Sequence, residues 1–230
     1  TQVFQLLETI YRSFDKLARR KKVFKVETIG DCYVAVTGLP DPQKEHAIIM
    51  ARFAKECMQQ MNELTKELEV ALGPDTSELC MRFGLHSGPV TAGVLRGEKS
   101  RFQLFGDTVN FASRMETTGM RNRIQASQAT ADLLISGGKH DWVQPRDDLV
   151  NAKGLGQVQT FWIMPRRTNN GSSKSLGSMD SESFIKLKSK RKGLALNREP
   201  SSRRNMLDHT SSRRSLLSMS QLPSDIWSND

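Results

Sequence analysis

The sequence predicts an α+β sandwich, one sheet covered by helices on one side. Segments with apolar residues at helical spacing alternate, without repeat, with short β-rich runs bounded by turn residues. The 230 residues are 26% charged and 37% hydrophobic, a soluble globular balance with room for one ordinary domain plus extra, or two small ones. No apolar run approaches the roughly 20 residues that cross a bilayer, and Arg12 and Lys16 interrupt the opening apolar pattern, so no signal peptide is visible.

Residues 3–18 set Val3, Leu6, Leu7, Ile10, Tyr11, Phe14, Leu17 and Ala18 at helical spacing, and the ARRKK run ends that helix. VFKVETI and CYVAVTG are β-rich and separated by Gly30-Asp31, a hairpin signal. Pro40 and Pro42 break structure in the next loop. A second helix runs from Ala47 to about Leu68, with Ile48, Ala51, Ala54, Cys57, Met58, Met61 and Leu64 on one face. LCMRFGLHSG alternates as a strand, and VTAGVL and RFQLFG form the next strand pair. DTVNFASRMETTG is a short helix with Asn110, Ser113 and Arg114 on its polar side; RIQAS is a strand, ATADLLI a helix and QVQTFWIM a last strand.

From residue 165 to 230 the character changes. Serine is dense, KLKSKRK and SSRR cluster basic charge, and apolar periodicity vanishes, so this segment reads as a disordered tail. It carries 13 Lys+Arg against 6 Asp+Glu, whereas residues 1–164 carry 21 against 19. The net charge of +9 therefore belongs mostly to the tail, and no nucleic-acid partner is expected for the folded part. The basic run suits an anionic membrane surface or a nuclear-localisation patch, or is simply solvated; the serines beside Arg213-Arg214 suit a kinase. Cys32, Cys57 and Cys80 are scattered, odd in number and not at zinc-ligand spacing, which reads as three reduced thiols.

GPVTAGVL has glycines at P-loop spacing, but Val94-Leu95 stand where Lys-Ser/Thr is required, so it is no Walker A loop. KGLGQV lacks the third glycine of a dinucleotide fingerprint. His86 has no metal-ligand partner at suitable spacing and reads as structural. Asp31, in a tight turn beside Gly30, can hold a hard cation, or simply favours turn geometry. Asn110 and Arg114 lie one helical turn apart and point the same way; an amide and a guanidinium there suit an anionic ligand, or form an ordinary polar face. Lys153, flanked by flexible glycine, is a candidate for a phosphate. Spacing alone reaches a soluble α+β domain with a phosphate-binding option.

KVETIGDCYVAVTGLP, MRFGLHSGPVTAGV, FQLFGDTVNFASRMETTG and AKGLGQVQTFW resemble, in that order, the blocks of the class III nucleotide cyclase catalytic domain, the domain of adenylyl and receptor guanylyl cyclases. The resemblance covers residues 1–164. It implies a ferredoxin-like βαββαβ core that dimerises head to tail, as a homodimer or with another cyclase domain, with active sites at the interface. It implies two Mg²⁺ (or Mn²⁺) ions and attack of the ribose 3′-oxygen on the α-phosphorus, releasing pyrophosphate. By the same resemblance Asp31 is a metal-binding aspartate, Asn110 and Arg114 orient the ribose and stabilise the pentavalent phosphorus, Lys153 meets the triphosphate, and Arg82 lies near the β- and γ-phosphates. Fixed cations aimed at charge that develops on the nonbridging oxygens lower the barrier.

Glu27 falls at the purine selector, where guanylyl cyclases carry glutamate and adenylyl cyclases lysine. A carboxylate accepts from guanine N1–H and N2–H₂, whereas adenine leaves it unpaired. In a head-to-tail dimer Glu27 and Asp31 of one chain serve different copies of the site.

This sequence departs from the family in two places. Gln103 occupies a second selector position that usually holds cysteine in guanylyl and aspartate in adenylyl cyclases; its amide can donate to guanine O6 or, flipped, accept from adenine N6. The family's first strand, with a metal aspartate in a block like DIxGFT, lies upstream of the first helix, where this chain begins. The expectation is therefore an N-terminally truncated guanylyl cyclase domain whose sheet lacks its first strand and which alone is inactive. Its full-length parent would be a membrane protein with this domain in the cytosol. The alternatives are an adenylyl or mixed-specificity cyclase, and a noncatalytic cyclase-like half acting in dimerisation or regulation.

Overall fold

A computed structural model describes residues 2–73, 76, 79–95, 101–154, 156–165 and 214–220. Helix α1 (Gln2–Lys21) leads into the hairpin β1 (Phe24–Ile29) and β2 (Cys32–Thr37). The hairpin turns on Gly30-Asp31, with Ile29 level with Cys32. Gly30 takes φ +59°, the positive value that a two-residue turn with glycine first requires. Helix α2 (His46–Leu72) follows, then β3 (Arg82–Gly88), the strand pair β4 (Thr91–Leu95) and β5 (Arg101–Phe105), α3 (Asp107–Thr117), β6 (Arg123–Ser127) and α4 (Gln128–Ser136). Four short strands come next: β7 (Val143–Pro145), β8 (Val150–Ala152), β9 (Gly156–Val158) and β10 (Thr160–Ile163). Strand β11 (Arg214–Ser220) comes from the tail.

Among the described residues the main sheet has seven strands in the order β1-β2-β11-β3-β6-β10-β7, and β4-β5 and β8-β9 are separate pairs. The predicted mixed fold with a helix-covered sheet is observed. The covering is on both faces, not one. Ile10 and Phe14 of α1, Phe53 and Met61 of α2, and Leu134 of α4 join Tyr33, Ala35, Phe83 and Leu85 in the main core. The intervening residues Val34 and Val36 face the other way, against Ala112 of α3. Strand alternation makes this division: successive side chains point to opposite faces.

The sequence reading took QVQTFWIM as one strand. The structure divides it between β9 and β10, which belong to different sheets. Residues 214–220, within the tail read as disordered, instead form β11, third of the seven strands, between β2 and β3. The rest of the tail, including the basic run read as a membrane or nuclear patch, lies outside the described residues. Among the described residues no helix is long and apolar enough to cross a membrane.

Candidate functional site

The second face of the sheet carries most of the candidate residues. Its small apolar cluster draws Phe24 and Val26 from β1, Cys32 from β2, Leu104 from β5 and Val109 from α3. Phe24 and Phe102 meet edge to face, with ring centroids 5.1 Å apart, which ties the β1-β2 hairpin to the β4-β5 pair. Glu27 follows Val26, Gln103 lies between Phe102 and Leu104, and Asn110 follows Val109. Glu27, level with Val34, and Asn110 thus border this face from β1 and α3, with Arg114 one turn beyond Asn110, whereas Gln103 alternates with the inward-packed Phe102 and Leu104 on β5. Glu27 also sits at an irregularity in the β1-β2 ladder, where the register shifts between Lys25 and Glu27; a bulge re-aims a side chain. Lys153 is exposed in the turn between β8 and β9.

Two glycines let α3 approach the sheet. A Cβ on Gly84 would stand 2.2 Å from the Glu116 backbone nitrogen and 2.6 Å from the Ala112 carbonyl oxygen. A Cβ on Gly88 would stand 2.6 Å from Thr108 Oγ1. Between them, His86 stacks on Phe111 with centroids 4.5 Å apart, and its Nδ1 lies 2.6 Å from Ser127 Oγ. Burial lowers the His86 pKa from 6.5 to about 4, because desolvation disfavours the charged ring. A neutral His86 therefore stacks under α3 at Phe111, the residue after Asn110. Position 86 signalled structure in the sequence; that it supports the helix of Asn110 and Arg114 depends on a stacking partner 25 positions away.

Arg82 is already committed. Its Nε donates to Glu116 Oε1 at 2.8 Å, and that carboxylate is only 5% exposed. By contrast, among the described residues the side chains of Glu27, Gln103, Asn110, Arg114 and Lys153 make no hydrogen bond or ion pair. Asp31 is half-buried beside Tyr11, whose hydroxyl donates to the Gly30 carbonyl at 3.5 Å. Burial, and then the Asp31 charge, push the Tyr11 phenol pKa up. The hairpin is further held to α1 by Asp15, which accepts from the Tyr33 hydroxyl at 2.9 Å and from Lys25 Nζ at 3.0 Å.

Among the described residues no group of three or more His, Cys, Asp or Glu side chains is placed to hold a metal. Asp31 fits one ligand of a Mg²⁺ held chiefly by substrate phosphates. The described donors do not by themselves fit the two-metal centre that the resemblance implies.

A second polar centre was not legible in sequence. Arg146 Nη1 donates to Gln125 Oε1 at 2.7 Å and to the Thr118 carbonyl at 3.0 Å, and its guanidinium lies 4.8 Å from the Trp162 ring centroid. It fixes the end of α3 to β6 and β10.

Comparisons with known proteins bear on the family and the fold. The family described as "Adenylate and Guanylate cyclase catalytic domain" matches residues 1–165. Guanylate cyclase 2G of Rattus norvegicus is 41% identical over 164 residues, which are 70% of this chain and 14% of that protein. Atrial natriuretic peptide receptor 2 of Homo sapiens is 39% identical over 167 residues, 72% of this chain and 15% of that protein. This chain thus spans about one-seventh of the length of these relatives. The guanylate cyclase domain of RhGC from Catenaria anguillulae, solved in complex with GTP, is 36% identical with a TM-score of 0.61, over 72% of this chain and 85% of that one. The adenylyl cyclase CyaB from P. aeruginosa, 22% identical with a TM-score of 0.64, shares the fold. The chain belongs to the adenylate and guanylate cyclase catalytic domain family.

Proposed function

We propose that this domain is the guanylyl cyclase unit of a larger protein, converting GTP to 3′,5′-cyclic GMP and pyrophosphate. The observation that supports the reading is that Glu27 on β1 and Asn110 and Arg114 on α3 lie at one face of the sheet and that, among the described residues, their side chains make no hydrogen bond or ion pair. Unpartnered polar groups at a family's reaction face suit ligand binding better than support of the fold.

In the reaction the ribose 3′-oxygen forms a bond to the α-phosphorus, the bond to pyrophosphate breaks, and the hydroxyl proton passes to solvent. Arg114 opposes charge on the pentavalent phosphorus, and Asn110 orients the ribose. Lys153 meets the triphosphate. Arg82 is left out of the phosphate set, because Glu116 already opposes its charge. Glu27 accepts from guanine N1–H and N2–H₂, and the Gln103 amide donates to O6. Asp31 supplies one carboxylate to a divalent cation.

Head-to-tail pairing of two such domains places Asp31 of one copy against Asn110 and Arg114 of the other. Exposed Ile29, Val94 and Phe105, at the ends of two hairpins, suit such a partner. The relatives named as receptors support a parent whose catalytic part lies in the cytosol. Gln103 favours a second reading, mixed use of ATP. The test is to incubate the domain, joined to the upstream sequence of its gene, with GTP or ATP and Mg²⁺ or Mn²⁺. Cyclic GMP in clear excess is expected. Dominant cyclic AMP would give selection to Gln103, and a folded dimer without product would leave a noncatalytic partner.

A further inference from the structure

Arg146 has no part in the proposed reaction, yet its side chain is only 8% exposed. A charge placed there needs its donors answered. Its backbone is tied to β10: its N–H donates to the Thr160 carbonyl at 2.9 Å, and its carbonyl accepts from Gln159 Nε2 at 2.8 Å. Its Nε and Nη2 donate to the two carboxylate oxygens of exposed Asp148, at 2.9 and 2.8 Å. Nη1 turns inward, to Gln125 Oε1 and the Thr118 carbonyl.

From Nη1 the bonds run in one direction. Gln125 is wholly buried. Its Oε1 accepts from Arg146, and its Nε2 donates to Thr118 Oγ1 at 2.9 Å. Thr118 Oγ1 donates in turn to the Arg114 carbonyl at 2.6 Å. A flipped Gln125 amide would set donor against donor at Arg146, so the arginine fixes the sense of the whole chain. Arg114 lies in the last turn of α3, where carbonyls lack intrahelical partners and helices fray. Its carbonyl is held by the N–H of Thr118, at 3.1 Å, and by the Thr118 hydroxyl.

We propose, resting on the role given to Arg114 in the cyclase reading, that Arg146 is a positioning residue for the reaction. Acting through Gln125 and Thr118, it holds the last turn of α3 where Arg114 meets the charge that develops at phosphorus. A small displacement of that turn weakens a contact made in the transition state more than it weakens substrate binding.

Thr118→Val removes the hydroxyl and leaves Arg146 and Asp148 in place. In the domain joined to its upstream sequence it should lower turnover roughly 10-fold or more, with KM within about threefold. Thr118→Ser, which keeps the hydroxyl, should recover most of the loss. Arg146→Lys keeps the charge but not the planar fork and should resemble Thr118→Val; it takes the place of that variant should the valine protein not fold. A double-mutant cycle then separates positioning from plain support. With Arg114→Ala in the background, either substitution should change the residual turnover by less than about twofold. The same fall with and without Arg114 would overturn the proposal, as would a rise in KM at unchanged turnover. A parent protein that forms no cyclic nucleotide would instead remove the cyclase reading, and the proposal with it.

Discussion

On one face of the sheet Phe14, Phe53, Met61 and Leu134 of three helices are wholly buried; on the other, Val34 and Val36 form a small cluster with Ala112 of α3, a helix of 11 residues. The first face has paired polar groups at its margin, such as Arg20 and Lys21 with Glu56. At the rim of the second, the side chains of Glu27, Asn110 and Arg114 make no hydrogen bond or ion pair among the described residues. The difference separates two tasks. Burial on the first face supplies stability, and on the proposed reading the second gives up apolar area to leave polar groups open to a ligand. Substitutions on the two faces should therefore fail in different ways.

The largest effect is expected from Phe53→Ala. It empties a fully buried aromatic site and should cost about 3–5 kcal/mol of unfolding free energy, read by denaturant titration, with any purine preference of the remaining folded protein unchanged. Arg114→Ala should do the opposite. Turnover should fall roughly 10²–10³-fold, as when a transition-state donor is lost, while stability stays within about 0.5 kcal/mol. Steady-state kinetics separates the cases: a loss in substrate affinity equal to that in turnover would remove Arg114 from its transition-state role.

Gly84→Ala probes the junction between the faces. Its new methyl must displace the backbone of α3, so stability should drop by about 1–3 kcal/mol and activity should fall with it, because Asn110 and Arg114 ride on that helix. Thermal melts and turnover measured together check this; loss of stability with full activity would uncouple the helix seat from the site.

His86 gives a smaller, pH-dependent effect. Its folded pKa, about 4, lies below the ordinary 6.5, so the unfolded chain binds the proton first. The stability tied to the neutral ring is full above about pH 6.5 and is lost as pH falls toward 4. Denaturant midpoints measured across that window should fall with pH, and His86→Gln should flatten the slope. Least of all should come from Arg12→Ala, which removes an exposed pair with Glu8 and should change stability by less than about 1 kcal/mol.

Much of the first face was legible in sequence because its signals are local. The periods of α1 and α2 and the Gly30-Asp31 turn lie within short windows, and the observed elements follow them. β7, β8 and β9 have three residues each, too few to show a period. Gly156, at φ +72°, opens β9, and β10 crosses into the main sheet two residues after β9 ends, so an apolar run that looked continuous serves two ladders. β11 sits in serine-rich sequence, and only its distant partners β2 and β3 give Leu217 and Met219 their rows.

The site divides in the same way. The resemblance named Glu27, Asp31, Gln103, Asn110 and Arg114 singly. Placing Glu27, Asn110 and Arg114 at one face needed Phe24 against Phe102 and the close approach of α3 over Gly84 and Gly88, contacts between segments far apart in the chain. The engagement of Arg82 with Glu116 is equally nonlocal.

The central claim is that Glu27 reads the purine on this second face. The most direct measurement is the ratio of cyclic GMP to cyclic AMP formed by Glu27→Lys beside the parent protein, at equal GTP and ATP. Loss of the carboxylate should cut GTP use roughly 100-fold or more, since a site built to pair a base edge rejects the wrong one strongly, and should leave the denaturation midpoint unchanged. An unaltered product ratio in a folded, active Glu27→Lys protein would contradict the claim.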